Sequence, residues 1–332
     1  VSDSNSGTIT LTDTTDGADI TFSGAVTADT FTTAAQGYDI FLNGDATFAN
    51  AVTFQNTGTL LLGDATSDTF TFNGGVTENT SGTVTIDGAI VSSDDAISFG
   101  AISLGQDLSV TSAGGAITIG AITSSSARDV TITSSGGSTN TVTLSTLSGG
   151  NMNTIAVTGS TSVTLNGNIT TNNSSGNSVT ITGTTINTGA ITIDTNNSSN
   201  DGAINLVGSV AGSNNNLALD SGGAEITLSG TAFNLGSGSL TTTGDINLAA
   251  NVSVTATGGI TINDKIDADN ASSNDRTLTL TSGTGATMTF GDAIGSAQPL
   301  AGLTITQSDG VTFNSTLDIT DGSPGTLTVT DT

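Results

Sequence analysis

The chain has 332 residues, with 3 Lys and Arg against 29 Asp and Glu, a formal charge of -26, and no Cys, His or Trp. Those zeros exclude a thiolate or imidazole nucleophile, a Cys/His zinc site and a disulfide framework. With Arg128, Lys265 and Arg276 as the only cations, the clustered basic charge that nucleic-acid binding needs is also missing.

Thr outnumbers every other residue type, Gly follows at 44, and aromatics make up 4%. That is a poor recipe for a conventional globular core and a workable one for β-structure. High net charge with many Ser, Gly and Asn is also the composition of disorder, but evenly spaced Val, Ile and Leu argue against it. No apolar run approaches the roughly 18 residues of a membrane span. Residue 1 is Val and no charged segment precedes an apolar one, so the chain is expected to be processed or to be a section of something longer.

The first hundred residues carry eight of the eleven Phe, from Phe22 to Phe99, and the single Tyr, Tyr38. Residues 1–100 are therefore expected to be a Phe-richer part of the repeat structure, with ordinary core Phe as the first reading and a cap or contact surface as the second, and residues 101–332 to be regular repeats. Bends recur in this stretch, as in Leu42-Asn43-Gly44-Asp45-Ala46, Phe72-Asn73-Gly74-Gly75-Val76 and Ile86-Asp87-Gly88-Ala89-Ile90. Asn-Gly and Asp-Gly admit positive φ, which suits a hairpin turn or a solenoid corner. A hairpin needs a returning strand of similar length. Only short apolar stubs follow, as in Phe99-Gly100-Ala101-Ile102, which fits a corner.

From Ile40 onward an apolar-polar-apolar unit recurs, the period-2 signature of a strand with one buried face. One ladder runs Ile40/Leu42, Leu60/Leu62, Val84/Ile86, Leu108/Val110, Val130/Ile132, Ile155/Val157, Val179/Ile181, Ile204/Leu206, Ile226/Leu228, Val252/Val254, Leu278/Leu280, Leu303/Ile305 and Leu327/Val329, in steps of 20 to 26 residues. A second, less regular ladder lies half a period away and includes Val52/Phe54, Phe70/Phe72, Ile97/Phe99, Ile117/Ile119, Leu217/Leu219 and Ile260/Ile262. Polar turns such as Ser124-Ser125-Ser126, Asn173-Ser174-Ser175, Asn197-Ser198-Ser199 and Ser272-Ser273-Asn274 keep the same phase.

A period of about 24 residues with two or three short strands is one coil of a parallel β-helix. The predicted fold is thus all-β, a parallel β-solenoid of about 13–14 coils. At about 4.8 Å per coil it would be a rod on the order of 60 Å long. The competing architecture is a string of β-sandwiches, against which stand the missing Trp, the scarcity of Pro and the lack of any linker.

Chemistry is sparse. Polysaccharide lyases and hydrolases occur on β-helices, but three unclustered cations and few aromatics leave no cleft for them, so no enzyme activity is expected. Calcium is the better chemical expectation, because hard cations take carboxylate and carbonyl oxygens from loops. The densest candidate is Asp264, Asp267, Asp269 and Asp275, with Lys265 among them as an ion-pair partner. Sparser candidates are Asp13, Asp16 and Asp19, then Asp64 and Asp68, then Asp94 and Asp95.

The strings Gly189-Ala-Ile-Thr-Ile, Ser178-Val-Thr-Ile-Thr-Gly and Asp292-Ala-Ile-Gly-Ser-Ala-Gln-Pro-Leu-Ala-Gly-Leu-Thr-Ile resemble very large bacterial surface proteins of the filamentous haemagglutinin-like, β-strand-repeat type. The resemblance implies right-handed β-helical stalks of secreted adhesins and surface fibres. Since no polar helix caps either end, the coils are expected to continue into further repeats or head-to-tail into another copy. The expected function is an extracellular structural protein, a cell-surface fibre or adhesin stalk, whose partners are other copies, other surface proteins or glycans. The alternatives are an S-layer or sheath subunit bridged laterally by divalent cations, and a carbohydrate-binding or cleaving β-helix.

Overall fold

The computed structural model describes residues 7–12, 15–80, 82–136, 140–148, 152–171, 178–196, 200–269, 276–320 and 325–331. Among them the secondary structure is all strand, without a helix, and every strand pair with a described register is parallel. The chain is a β-solenoid of stacked coils, and it divides into two compact units, Val1–Val163 and Thr164–Thr332.

In the first unit each coil has three sides. The first side is a six-stranded sheet of Asp19–Phe22, Asp39–Leu42, Leu60–Leu62, Val84–Ile86, Ile102–Leu104 and Ile122–Ser124. The second side stacks Val26–Ala28, Ala46–Phe48, Thr69–Phe72, Ala89–Ser92, Leu108–Ser112 and Arg128–Ser134. The third stacks Thr8–Leu11, Thr30–Thr33, Val52–Phe54, Val76–Glu78, Ile97–Phe99, Ile117–Ile119 and Thr141–Leu144.

Period-2 alternation puts one residue in two inside, so stacking builds columns. Leu42, Leu62, Ile86 and Leu104 lie in register and are buried. Outside, Thr32, Thr53, Thr77, Ser98, Thr118 and Thr143 form an equally regular column. A β-branched side chain with a hydroxyl suits a pleated surface facing water, which accounts for the abundance of Thr.

The aromatic stretch fills the interior. Phe31 packs on Phe48 with ring centroids 5.1 Å apart, Phe48 on Phe72 at 5.6 Å and Phe31 on Phe54 at 5.9 Å, linking the second and third sides across the coil. Tyr38 is fully buried, and its hydroxyl accepts from Ala34 N at 2.9 Å and lies 3.0 Å from the Leu11 carbonyl, to which it donates. Polar residues also stack inside: Ser92, Ser112 and Ser134 are in register. Their hydroxyls donate to corner carbonyls of Asp95 and Gly115, at 2.7 Å from Ser92 and 2.8 Å from Ser134.

The second unit repeats the plan. One side stacks the start of Ser178–Asn187 with Ala203–Leu206, the end of Leu217–Leu228, the end of Leu240–Leu248, and Ile266–Ala268. Another runs from Val210–Ala211 through Ala232–Gly236, Val252–Ala256, Thr277–Thr281 and Gly302–Gln307 to Thr326–Val329. The third takes Ile191–Asp194, the starts of Leu217–Leu228 and Leu240–Leu248, then Ile260–Ile262, Met288–Phe290 and Val311–Phe313.

The structure corrects the sequence ladder in two places. Val84/Ile86 stack on the strand holding Ile102/Leu104, while Leu108/Val110 belong to the neighbouring side. Likewise Ile226/Leu228 stack on Ile246/Leu248, and Val254 stacks on Phe233. The apolar stubs read as corners, such as Ala101-Ile102, belong to strands of the first side. The glycine bends are corners, as expected, but at Gly88 the need is for space: its φ is not positive, and a Cβ there would stand 2.5 Å from the Asp68 carbonyl oxygen.

Candidate functional site

The acidic side chains concentrate at the corners, where many accept backbone N–H bonds from the next coil. Asp45 Oδ1 accepts from Thr69 N at 2.9 Å, Asp87 Oδ1 from Gly105 N at 2.7 Å, Asp129 Oδ1 from Thr154 N at 3.0 Å, and Asp201 Oδ2 from Gly223 N at 2.6 Å. Asn residues do the same, as Asn168 does for Thr192 N and Asn251 for Thr277 N. Corner N–H groups turn away from the strand ladders, so a short side-chain acceptor one coil away satisfies them. Charge-assisted bonds of this kind are the stronger ones.

The calcium candidate of the second unit follows the same rule. Asp264 Oδ2 accepts from Gly244 N at 2.7 Å. Asp267 projects outward from Ile266–Ala268 between two buried neighbours, and its Oδ1 accepts from Ala297 N at 2.8 Å and Gln298 N at 3.1 Å. Asp269 takes a two-pronged bond from Arg276, at 2.9 Å to Nε and 2.7 Å to Nη2; that bond raises the Arg276 pKa still further. Asp275 lies outside the described residues. Lys265 pairs with Asp245 at 3.9 Å. The carboxylates of Asp264, Asp267 and Asp269 thus each have separate backbone or cationic partners. Among the described residues no three acidic side chains converge as a metal cage.

The sparser acidic pairs are turn-makers. Asp68 Oδ2 accepts from Asp64 N at 2.9 Å and Ala65 N at 3.0 Å, Asp94 accepts from the Ser93 hydroxyl at 3.0 Å, and Asp16 from Gly37 N at 3.3 Å. Asp19 stands in register with Asp39. The Asp95 contribution is its backbone carbonyl, bonded by Ser92 and Ser112. Asp13 lies outside the described residues.

The titration of Asp87 is displaced. Burial raises its pKa, against the lowering effect of the Gly105 and Gln106 N–H groups and of the Arg128 charge. The folded chain therefore holds this proton to higher pH than the unfolded chain does. The stabilising contribution is complete below the ordinary carboxylate range and is lost as pH rises through the raised value. Asp87→Asn keeps the amide oxygen for Gly105 N–H and removes the charge. In urea titrations from pH 7 down to pH 3, wild type is expected to gain stability relative to Asp87→Asn as pH falls. Parallel pH profiles would contradict the assignment.

Hollows on the surface are shallow. One of about 200 Å³ is lined by Glu225, Asp245, Asn247, Asp267 and Gln298, and one of about 240 Å³ by Thr83, Val84, Ile102, Ser103 and Thr123. No aromatic side chain lines either.

The end of the coil stack in the second unit is different in character. Phe313, Leu327 and Val329 are 36%, 44% and 47% exposed, although each continues an inward-facing column through Phe290, Leu303 and Ile305 respectively. Sequence reasoning placed Leu327/Val329 on an inward ladder without distinguishing the pair from the buried rungs. The signal available was positional, since they are the final rungs of the listless repetition of Val, Ile and Leu. Comparison with protein families, with curated proteins and with solved structures returns no match.

Proposed function

We propose that this chain is a non-enzymatic structural segment of an extracellular fibre or adhesin stalk at a cell surface, extended at its ends by further coils of the same kind. The observation that carries this reading is the set of apolar columns that run coil after coil and end on exposed Phe313, Leu327 and Val329. Exposed contiguous apolar surface on a soluble protein marks a contact, and a parallel strand edge accepts another strand.

The rest of the molecule supports the same reading. Each coil buries its own small set of Val, Ile, Leu or Phe, so stability is a sum of repeated nearest-neighbour terms. The acids serve corner backbone groups, and the -26 charge opposes sideways clumping. Lysine and arginine are too few for an acidic partner, and the outward columns of Thr offer a long uncharged surface between the corners.

The test is location. Antibodies raised against the purified chain should label intact cells of the source organism, and protease added outside should remove the label. Label that appears only after the cells are opened would overturn the reading.

A further inference from the structure

The second side of the first unit carries an outward array that is regular in two directions. One column runs from Thr27 through Thr47, Thr71, Val91 and Thr111 to Thr133, rung on rung without a register shift. Beside it, two residues earlier on each strand, a second column runs through Thr69, Ala89, Ser109 and Thr131. All of these side chains are exposed or half-buried. The one departure from Thr in the first column is Val91, which has the shape of Thr with a methyl in place of the hydroxyl. Solubility would not choose Val for an outward position, whereas a demand on shape would.

Charge is kept off this array. The carboxylates that border its start, Asp45, Asp107 and Asp129, are committed to the N–H groups of Thr69, Asp129 and Thr154 one coil on. Among the described residues none bonds the hydroxyls of Thr27, Thr47, Thr71, Thr111 and Thr133. The other sides lack one or more of these features. The first side of the same unit turns Phe41 and Leu61 outward in register and sets Asp19 beside Asp39. On the third, most strands are three residues long with a single outward residue, as in Val52–Phe54, Val76–Glu78 and Ile117–Ile119. In the second unit, one side stacks Glu225 on Asp245 and Asn247 on Asp267, and another sets Asp194 beside Asp220. The remaining side shifts register after Leu280, and there the Thr281 and Thr306 hydroxyls bond each other.

The dimensions of the array follow from strand geometry. Rungs are about 4.8 Å apart and the two columns about 6.6 Å apart. Thr is stiff at χ1, and buried Phe48, Phe72, Ile90, Val110 and Ile132 hold the strands from behind. The hydroxyls and methyls are thus in place before any contact, so docking costs them little freedom. A partner that matches must itself be periodic, uncharged and able to both donate and accept hydrogen bonds. Protein partners are anchored by Trp, Tyr and Arg, and the array has none. Ice is a neutral lattice whose water oxygens repeat at a closely similar interval, and a Thr hydroxyl donates and accepts as a water molecule does.

We propose that this face binds ice. The Thr hydroxyls stand in for waters of the outermost lattice layer, and the methyls of Thr, Ala89 and Val91 lie against the gaps between them. A charged side chain pressed against a neutral crystal would lose its hydration without a partner, which is why the carboxylates stay at the rim. The inference goes beyond the stalk reading and does not depend on it, because ice affinity belongs to the purified chain and location to cells.

Growing ice rejects ordinary solutes, so uptake of the purified full chain into a slowly frozen ice fraction reads the affinity. Wild type is expected in the ice, with Thr111→Lys plus Thr133→Lys depleted from it by about tenfold or more, each tenfold being a single step in binding free energy. Thr47→Lys, on a more exposed rung of the same column, should show the same loss in smaller degree. Thr85→Lys plus Ser103→Lys puts two lysines on adjacent rungs of the first side and should leave uptake as in wild type. Circular dichroism should remain that of a folded β-protein in all three variants. Wild type left behind in the liquid as completely as the Thr111/Thr133 variant would overturn the proposal, and so would equal loss in the Thr85/Ser103 variant. A wild type excluded from ice that co-sediments with crystalline chitin or cellulose would overturn it in favour of a polymer.

Discussion

Phe48→Ala is expected to lower the free energy of unfolding by about 3–5 kcal/mol, the usual cost of emptying a buried aromatic site. Phe48 is fully buried, and its ring touches Phe31 from the third side and Phe72 from the next coil. Three ladders hold the walls of the coil at fixed spacing, so the walls cannot close on the space left behind. Its strand offers little to compensate, since Ala46 is the only other inward residue of Ala46–Phe48. Phe48→Leu, which keeps most of the volume, should lose much less. The check is urea unfolding, in which the midpoint falls while the slope is kept. A loss below about 1 kcal/mol would mean that the coil collapses around the vacancy after all.

Gly230→Ala is expected to cost about 1–3 kcal/mol or more, the range for forcing atoms into filled space. Gly183, Gly208 and Gly230 stack at one corner of three successive coils in the second unit. A Cβ on Gly230 would stand 1.9 Å from the Gly208 carbonyl oxygen, and one on Gly208 would stand 2.1 Å from that of Gly183. The obstacle is backbone, which cannot swing aside without breaking ladder bonds on both flanks. Gly189 is the internal control: a Cβ there meets nothing within 4 Å, and Gly189→Ala should be neutral or stabilise by about 0.4–1 kcal/mol through the unfolded chain. Equal thermal shifts for the two variants would refute the steric argument.

The architecture was legible because its cause is local. Ile-Thr-Ile and Val-Thr-Leu alternation specifies a strand with one wet face, and repetition specifies stacking. The number of sides was harder to see. Successive sides are separated by a corner of only a few residues, as from Ile86 to Ile90 or Leu248 to Val252, so a ladder read with a tolerance of two or three residues slips from one side to the next. The short strand at Ile102–Leu104 looked like a stub because three residues suffice when both flanks are paired. Thr242 hid another rung: it faces inward and is fully buried in line with Leu219 and Ile262, in a place where pattern reading looks for Val or Ile.

The acidic residues were visible as clusters along the chain, but the separate partners of each were not. Asp264, Asp267 and Asp269 are close in sequence, yet each answers a different neighbour, namely Gly244 N, the Ala297 and Gln298 amides, and Arg276. Those neighbours lie 7 to 31 residues away. Density of carboxylates along the chain reports how many corner N–H groups need an acceptor one coil away, and that requirement is invisible until the coils are stacked.

One property of the stacking bears on how such a chain acquires its structure. In-register partners are never far apart in sequence: the offset is 18 residues between Thr85 and Ser103, 28 between Ile260 and Met288, and between these limits in the other described ladders. The entropy of closing a loop therefore stays constant however many coils are added, and contact order relative to length falls as the chain grows. A growing or emerging polypeptide can lay each coil on the last without waiting for a distant segment, and the partly finished product is a shorter version of the same object with one adhesive end.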